Sequence, residues 1–206
     1  MNIYQEHFFN DHIIISDAST DNNISDGSKI ISGYSWIYVY QGKAILKFQQ
    51  FEASRKYNRY IVEISETLGL VSGIVEFIIN NNSKTSVHTY CDNEFVVKFL
   101  NGQYSFFKKS TVDDMCVFAP EIMKITMELK SRWKNIYIHQ KQNNYTGRNR
   151  VIYDLHDICH YASNIGRCLK YNFKKYPKKK DQVHSWRCHI KNIMTSIKNN
   201  YDIEIS

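Results

Sequence analysis

Three acidic side chains stand where apolar runs of this sequence stop or begin. Asp17 follows His12-Ile13-Ile14-Ile15-Ser16, and Asp92 follows the strand-like run from Thr85 to Cys91. Glu66 lies near the start of a long apolar stretch between them. A carboxylate at the end of a buried run costs free energy unless a cation or hydrogen-bonding partner holds it. Singly, each could be a cap, and Asp17 could open an Asx turn with Ser19. Jointly they form an oxygen ligand set suited to Mg2+, with Mn2+ as the other candidate. Two such ions, roughly 3.5–4 Å apart, form the clamp used for in-line displacement at phosphorus.

Whether the three meet depends on the elements that carry them. The β-branched run at 12–18 predicts a strand buried on both faces. Residues 30–40 (IISGYSWIYVY) and 43–52 (KAILKFQQFE) predict two more strands, joined by a tight turn at Gln41-Gly42. From 61 to 79 the period becomes helical, through Ile64, Leu68, Val71, Val75 and Ile78, widened by Leu70, Ile74 and Phe77. A fourth strand is expected at 85–91, a short helix at 94–100 and a long helix over 111–132 interrupted by Pro120. A fifth strand follows at 135–140. The next helix, 151–169, has Leu155, Ile158, Cys159 and Ala162 on one face, and the last, 183–199, runs through Trp186, Ile190, Ile193 and Ile197.

This order implies an α/β fold. Its mixed five-stranded sheet joins a three-strand antiparallel meander to parallel βαβ crossovers, with helices on both faces and a basic C-terminal helical extension. The domain reading is a lead-in at 1–11, one domain at 12–169 and the extension at 170–206. In such a sheet strands one and four are parallel neighbours, so Asp17 and Asp92 lie side by side at their carboxyl ends. Glu66 reaches the same place if its helix packs closely through Gly69 and Gly73.

The formal net charge is +7, which points to an anionic partner, nucleic acid first. Arg55, Lys56, Tyr57 and Arg59 combine charge with an aromatic ring, as a loop gripping a nucleic-acid backbone would; Lys108 and Lys109 follow two phenylalanines; Lys174 to Lys180 is a basic run. Each could equally be a solvated surface. The opening MNIYQEHFFNDH is polar, no apolar run reaches membrane-span length, and the five cysteines are scattered, so the expectation is an intracellular protein with reduced thiols. Cys159, His160, Cys168, His184, Cys188 and His189 have no standard zinc spacing.

Three segments, in order, resemble type 1 ribonuclease H over residues 12–165. DASTDNN resembles that family's Asp-x-Ser/Gly opening, SETLGLVSGI its Glu-containing helix start, and VHTYCDNEFVVKFLNG its strand-Asp-Ser segment. The resemblance implies a ribonuclease H-like fold. It also implies a metal-dependent endonuclease that cleaves the RNA strand of RNA–DNA hybrids with two Mg2+ ions, Mn2+ being possible. It places Asp17, Glu66 and Asp92 as catalytic metal ligands and Ser19 and Asn93 against nucleic acid. The fourth metal-site residue falls in YDLHDICHYA, where matching apolar faces selects His156, flanked by Asp154 and Asp157 as the alternatives. Departures from the family are Ile152 in place of an Asn, Glu63 as a rival to Glu66, and no Gly-His-x-Gly loop. A DNA-acting nuclease or integrase-type enzyme of the same fold, or a catalytically weakened module binding nucleic acid or protein, are the competing functional classes.

Overall fold

A computed structural model describes residues 11–21, 29–54, 60–81, 85–103, 120–132, 135–141, 148–174 and 176–206. Its elements are β1 (His12–Asp21), β2 (Lys29–Tyr40), β3 (Lys43–Ser54), α1 (Ile61–Asn80), β4 (Val87–Cys91), α2 (Glu94–Leu100), α3 (Pro120–Arg132), β5 (Ile136–Gln140), α4 (Arg148–Arg167), α5 (Pro177–Tyr201) and β6 (Glu204–Ile205). They form one mixed sheet of order β5-β4-β1-β2-β3-β6.

The sheet is built on β1. Ile13, Ile14 and Ile15 are all fully buried, because successive side chains point to opposite faces and both faces are covered. Ile13 and Ile15 join Leu155, Ile158, Cys159 and Ala162 of α4, while Ile14 joins Ile64, Leu70 and Ile74 of α1. Each such fully buried side chain contributes about 1.5–3 kcal/mol relative to an exposed one.

The meander turns at Gln41 and Gly42, both at positive φ (49° and 73°). That is the left-handed pair a two-residue hairpin between right-twisted strands requires. On one face α1 lies close to the sheet through its glycines. A Cβ on Gly73 would stand 2.5 Å from Ile14 Cγ2, and one on Gly69 3.1 Å from the Ser35 carbonyl oxygen. On the other face α4 crosses β1, β2 and β3, and Ser35 Oγ donates to the Cys159 carbonyl at 2.7 Å.

Three features differ from the sequence reading. β1 continues to Asp21, paired with β2, although its parallel pairing with β4 stops at Ile15–Tyr90. α5 starts at Pro177, six residues before its apolar period begins, since its first turns (PKKKDQ) carry no apolar side chain beyond the proline. Among the described residues the sheet has six strands rather than five. After α5 the chain returns to the sheet, where Glu204 N donates to Gly42 O (2.7 Å) and Ser206 N to Ala44 O (2.9 Å), parallel to β3. A two-residue strand has no periodicity to read. The extension also supplies Val183, Ile190, Ile197 and Ile203 to the core beside α4. Residues 111–119 of the long helix expected over 111–132 lie outside the described residues. No described helix is long and apolar enough to cross a membrane.

Candidate metal centre

The divergence of β4 from β1 makes the site. Because their ladder stops at Ile15–Tyr90, the next residues of the two strands flank one largely buried site: Ser16 and Asp17 on one side, Cys91 and Asp92 on the other. Asp17 remains paired to Ser35 of β2, which fixes its backbone, and its side chain turns to the α4 face with Ile13 and Ile15. It is 3% exposed.

Four groups surround the Asp17 carboxylate. Ser163 Oγ donates to Oδ2 at 3.1 Å, and His160 Nδ1 lies 3.2 Å from the same oxygen. Oδ1 faces His156 Nε2 at 3.6 Å, and that nitrogen stands equally far from Asp92 Oδ2. Glu66 lies behind, close enough that its charge and that of Asp17 interact. His156, His160 and Ser163 share a flank of α4 because they are spaced by four and three residues.

Glu66 projects from the second turn of α1 and is also buried. Its Oε1 accepts from Ala18 N at 3.2 Å, and its Oε2 accepts from the Cys91 thiol at 3.7 Å. Burial, with the charges of Asp17 and Asp92 adding, pushes its carboxyl well above the usual range. Asp92 is partly exposed, and the facing His156 imidazole holds its carboxyl low against the opposing effect of burial. The Cys91 thiol is pushed well up by burial and by Glu66. His160, half-exposed at the cleft mouth, is pushed up by its contact with Asp17.

The donor set fits a divalent cation. His156 is 3% exposed, and its Nε2 has no hydrogen-bond partner among the described residues. Its 3.6 Å distances to two carboxylate oxygens are too long for hydrogen bonds. They approach the roughly 3.0–3.4 Å that separates neighbouring ligands of one ion with bonds of about 2.1 Å. Asp17, Asp92 and His156 offer ligand atoms within 4.8 Å of one another, as do Glu66, Cys91 and Asp92. Asp154, Asp157 and Glu63 belong to neither group. Burial raises both Asp154 and Asp157, and the former acts on Tyr201 of α5.

Of the remaining sequence candidates, Ser19 Oγ donates to Asn164 Oδ1 at 2.9 Å, and Asn93 caps α2 by accepting from Val96 N at 3.2 Å. Arg55, Lys56, Tyr57, Arg59, Lys108 and Lys109 lie outside the described residues. Sequence reasoning overlooked His160 as a neighbour of Asp17, although its four-residue spacing from His156 was a usable signal. It overlooked Ser163 and Lys141 as well. Lys141 follows β5, donates its backbone N–H to Cys91 O at 2.8 Å, and sets its Nζ 3.2 Å from His156 Nδ1.

The fold has counterparts among solved structures. The chain superposes on prototype foamy virus protease-reverse transcriptase with a TM-score of 0.51 at 10% identity, over 76% of this chain and 20% of that one. A second structure, titled as the foamy viral protease-reverse transcriptase in complex with RNA/DNA hybrid, matches with a TM-score of 0.50 at 10% identity, over 81% and 21%. The fold is ribonuclease H-like. An N-terminal RNase H domain from Mycobacterium tuberculosis, solved as a fusion with maltose binding protein, matches at 14% identity and a TM-score of 0.47, over 76% of this chain and 94% of that one. No protein-family model and no curated protein matches the sequence. Within the ribonuclease H-like fold, the described cleft sits where β1 and β4 part, with α4 closing one side and α1 the other.

Proposed function

We propose that this chain is a divalent-metal-dependent nuclease that cleaves the RNA strand of RNA–DNA hybrids. The observation that carries the reading is the buried, partnerless His156 Nε2 held 3.6 Å from a carboxylate oxygen of both Asp17 and Asp92. A buried ring nitrogen and the buried Asp17 carboxylate, facing one point beside the partly exposed Asp92, are costly to hold unless a cation joins them.

Asp17, Asp92 and His156 would hold the metal, with Glu66 beneath them as a further acid; Mg2+ and Mn2+ are the candidate ions, in one or two positions. A bound ion there supplies Lewis-acid polarisation of a phosphoryl oxygen and a water acidic enough to attack phosphorus at neutral pH. The chain's own residues set the geometry. Ser163 and His160 fix Asp17, the Ala18 N–H fixes Glu66, and the β1–β2 ladder keeps the Asp17 backbone rigid, while Asp92 is the acid that meets solvent.

Charge supports a nucleic-acid substrate. Residues 170–206 hold nine of the 27 Lys and Arg residues and three of the 20 acids, a net of +6 within the chain's +7. In α5, Val183, Ile190 and Ile197 face inward, while Lys180, His184, Arg187, Lys191 and Lys198 are exposed along one flank. The hybrid named with the foamy viral relative supplies the substrate class, whose RNA strand is distinguished by its 2′-hydroxyls and shallow minor groove. In this reading 12–169 is the catalytic domain and 170–206 a basic extension to it.

Lys141 favours a second reading. Its ammonium sits against His156 and places a positive charge beside the acids without any metal, as a binding module that no longer cleaves would need. Cleavage of a labelled RNA–DNA hybrid with Mg2+, Mn2+ or EDTA, beside single-stranded RNA and duplex DNA, separates the readings. Metal-dependent cutting of the hybrid's RNA strand alone is the expected result. Salt-sensitive binding without cutting would move the assignment to a binding module, and cutting of DNA strands to a DNA-acting nuclease.

A further inference from the structure

Where α4 hands the chain to α5, the packing leaves a cavity. Cys168 N donates to Ile165 O and Leu169 N to Gly166 O as α4 ends, and α5 begins at Pro177. Gly166 lies so close to β3 that a Cβ there would meet Gln49 O at 2.8 Å, which pins the end of α4 to the sheet. Between that end and the first three turns of α5 is a space of about 310 Å3, in the range of small-ligand sites. Ile165, Cys168 and Val183, all buried, form its floor. Leu169 and Phe173 form its wall, and Leu169 is 52% exposed at the mouth.

The rim has one sign of charge. Lys180, His184 and Arg187 line the cavity and are exposed. Their spacing of four and three residues sets them on one flank of α5, beside Val183. No carboxylate lines the space among the described residues. Asp181, the one acid of α5, is turned about 100° round the helix from Lys180. Glu52 of β3 is held by Lys29 and Lys170.

We propose that this cavity binds a single-chain fatty carboxylate. Its tail lies on Ile165, Leu169, Phe173 and Val183, and its carboxylate meets Arg187, with Lys180 or His184 as the second contact. A guanidinium matches a planar carboxylate through two parallel N–H donors. A nucleobase fits less well, because its polar edge would face apolar side chains and lose its hydrogen bonds. The site lies on the α5 side of α4, whereas His160 and Ser163 turn to Asp17, so the inference stands apart from the metal and nuclease readings. A ligand there braces the corner between α4 and α5, and binding to the folded chain alone raises its stability.

The test is isothermal titration of the full chain, without metal or nucleic acid, with octanoate, decanoate and dodecanoate below their micelle concentrations. Decanol and decyl phosphate are the comparison ligands, and thermal melting is the folding control. The expected result is one decanoate per chain, a raised melting temperature, and affinity rising roughly fourfold per added methylene. Decanol should bind about tenfold more weakly, the loss expected for a charge-assisted hydrogen bond. Arg187→Gln should weaken decanoate by a similar factor and leave decanol unchanged. Leu169→Glu, at an exposed position, should abolish decanoate binding by placing an acid at the mouth. Absence of saturable decanoate binding, decanol binding as tightly as decanoate, or no effect of Arg187→Gln would each overturn the proposal. Decyl phosphate binding about tenfold more tightly than decanoate would overturn the carboxylate assignment. If Leu169→Glu fails to melt cooperatively, the decanol comparison and Arg187→Gln decide.

Discussion

Lys141 Nζ lies 3.2 Å from His156 Nδ1, on the side of the imidazole away from Asp17 and Asp92. The lysine donates, so the ring nitrogen it touches must accept, and the proton then sits on Nε2, where a metal would bind. Lysine and metal therefore compete for the same ring. Lys141→Met should tighten Mn2+ binding by about 3–10-fold, the size of one partly screened charge–charge term. Isothermal titration of both proteins measures it, and unchanged or weaker binding in the variant would remove Lys141 from this role.

Asp17→Asn, Glu66→Gln and Asp92→Asn should each abolish hybrid cleavage while the protein stays folded. Glu66→Gln should do one thing the other two do not. Its carboxyl is pushed well up by burial and by two neighbouring acids, so ionised Glu66 opposes folding. In the metal-free protein the amide should raise the melting temperature above pH 7. A lower melting temperature there, with activity also lost, would mean that Glu66 is held by its hydrogen bonds more than it is opposed by its neighbours.

His160 gives the pH dependence a sign. Its contact with Asp17 raises its pKa, so the folded state holds the proton more tightly than the unfolded chain. The stabilisation is fully present below the unfolded pKa of about 6.5 and is lost as pH rises through the folded value. Raised Glu66 acts in the same direction. Metal-free melting temperature should therefore fall from pH 6 to pH 8, and His160→Ala and Glu66→Gln should each flatten part of that slope. A flat wild-type profile would contradict both contributions.

Gly33 of β2 is a stability test for the packing of α4 on the sheet. A Cβ there would stand 1.9 Å from the Ser163 carbonyl oxygen and 2.4 Å from Arg167 N, backbone atoms that cannot rotate away. Gly33→Ala should cost about 2–4 kcal/mol in chemical denaturation. Because Ser163 and His160 lie on the displaced helix, metal binding should weaken with it; a loss under about 1 kcal/mol would mean that α4 can slide.

The exposed flank of α5 predicts a salt effect. Replacing Lys180, Arg187, Lys191 and Lys198 with Gln should make the slope of log K against log salt shallower by up to about 3.6 units on hybrid, at about 0.9 for each phosphate no longer neutralised. An unchanged slope would show that the flank only solubilises the chain.

The sequence is most legible where one element decides its own burial. Three consecutive isoleucines, β-branched in a short run, favoured a strand covered on both faces, and Gly69 with Gly73 marked the close face of α1. Asp17, Glu66 and Asp92 could be picked out because strand and helix patterns place their backbones. His156 came from laying the apolar face of its helix on the pattern of the family the sequence resembles, with Asp154 and Asp157 as the alternatives. His160, Ser163 and Lys141 were not legible, since their roles depend on distances across α4, β1 and the end of β5. β6 was hidden for a different reason: two residues gain strand character only from the edge they meet.

That last strand ties charge to folding. Without the segment after α4, the first residues of β3 would keep an unpaired edge, and Ala44, Leu46 and Phe48 would lose the apolar neighbours that α5 brings. A chain shortened there would leave that edge open and be prone to pair edge to edge with its own copies. The basic flank is thus no detachable accessory. The segment that closes the sheet edge is the one that carries the flank, so the charge cannot be removed by truncation without also opening the fold.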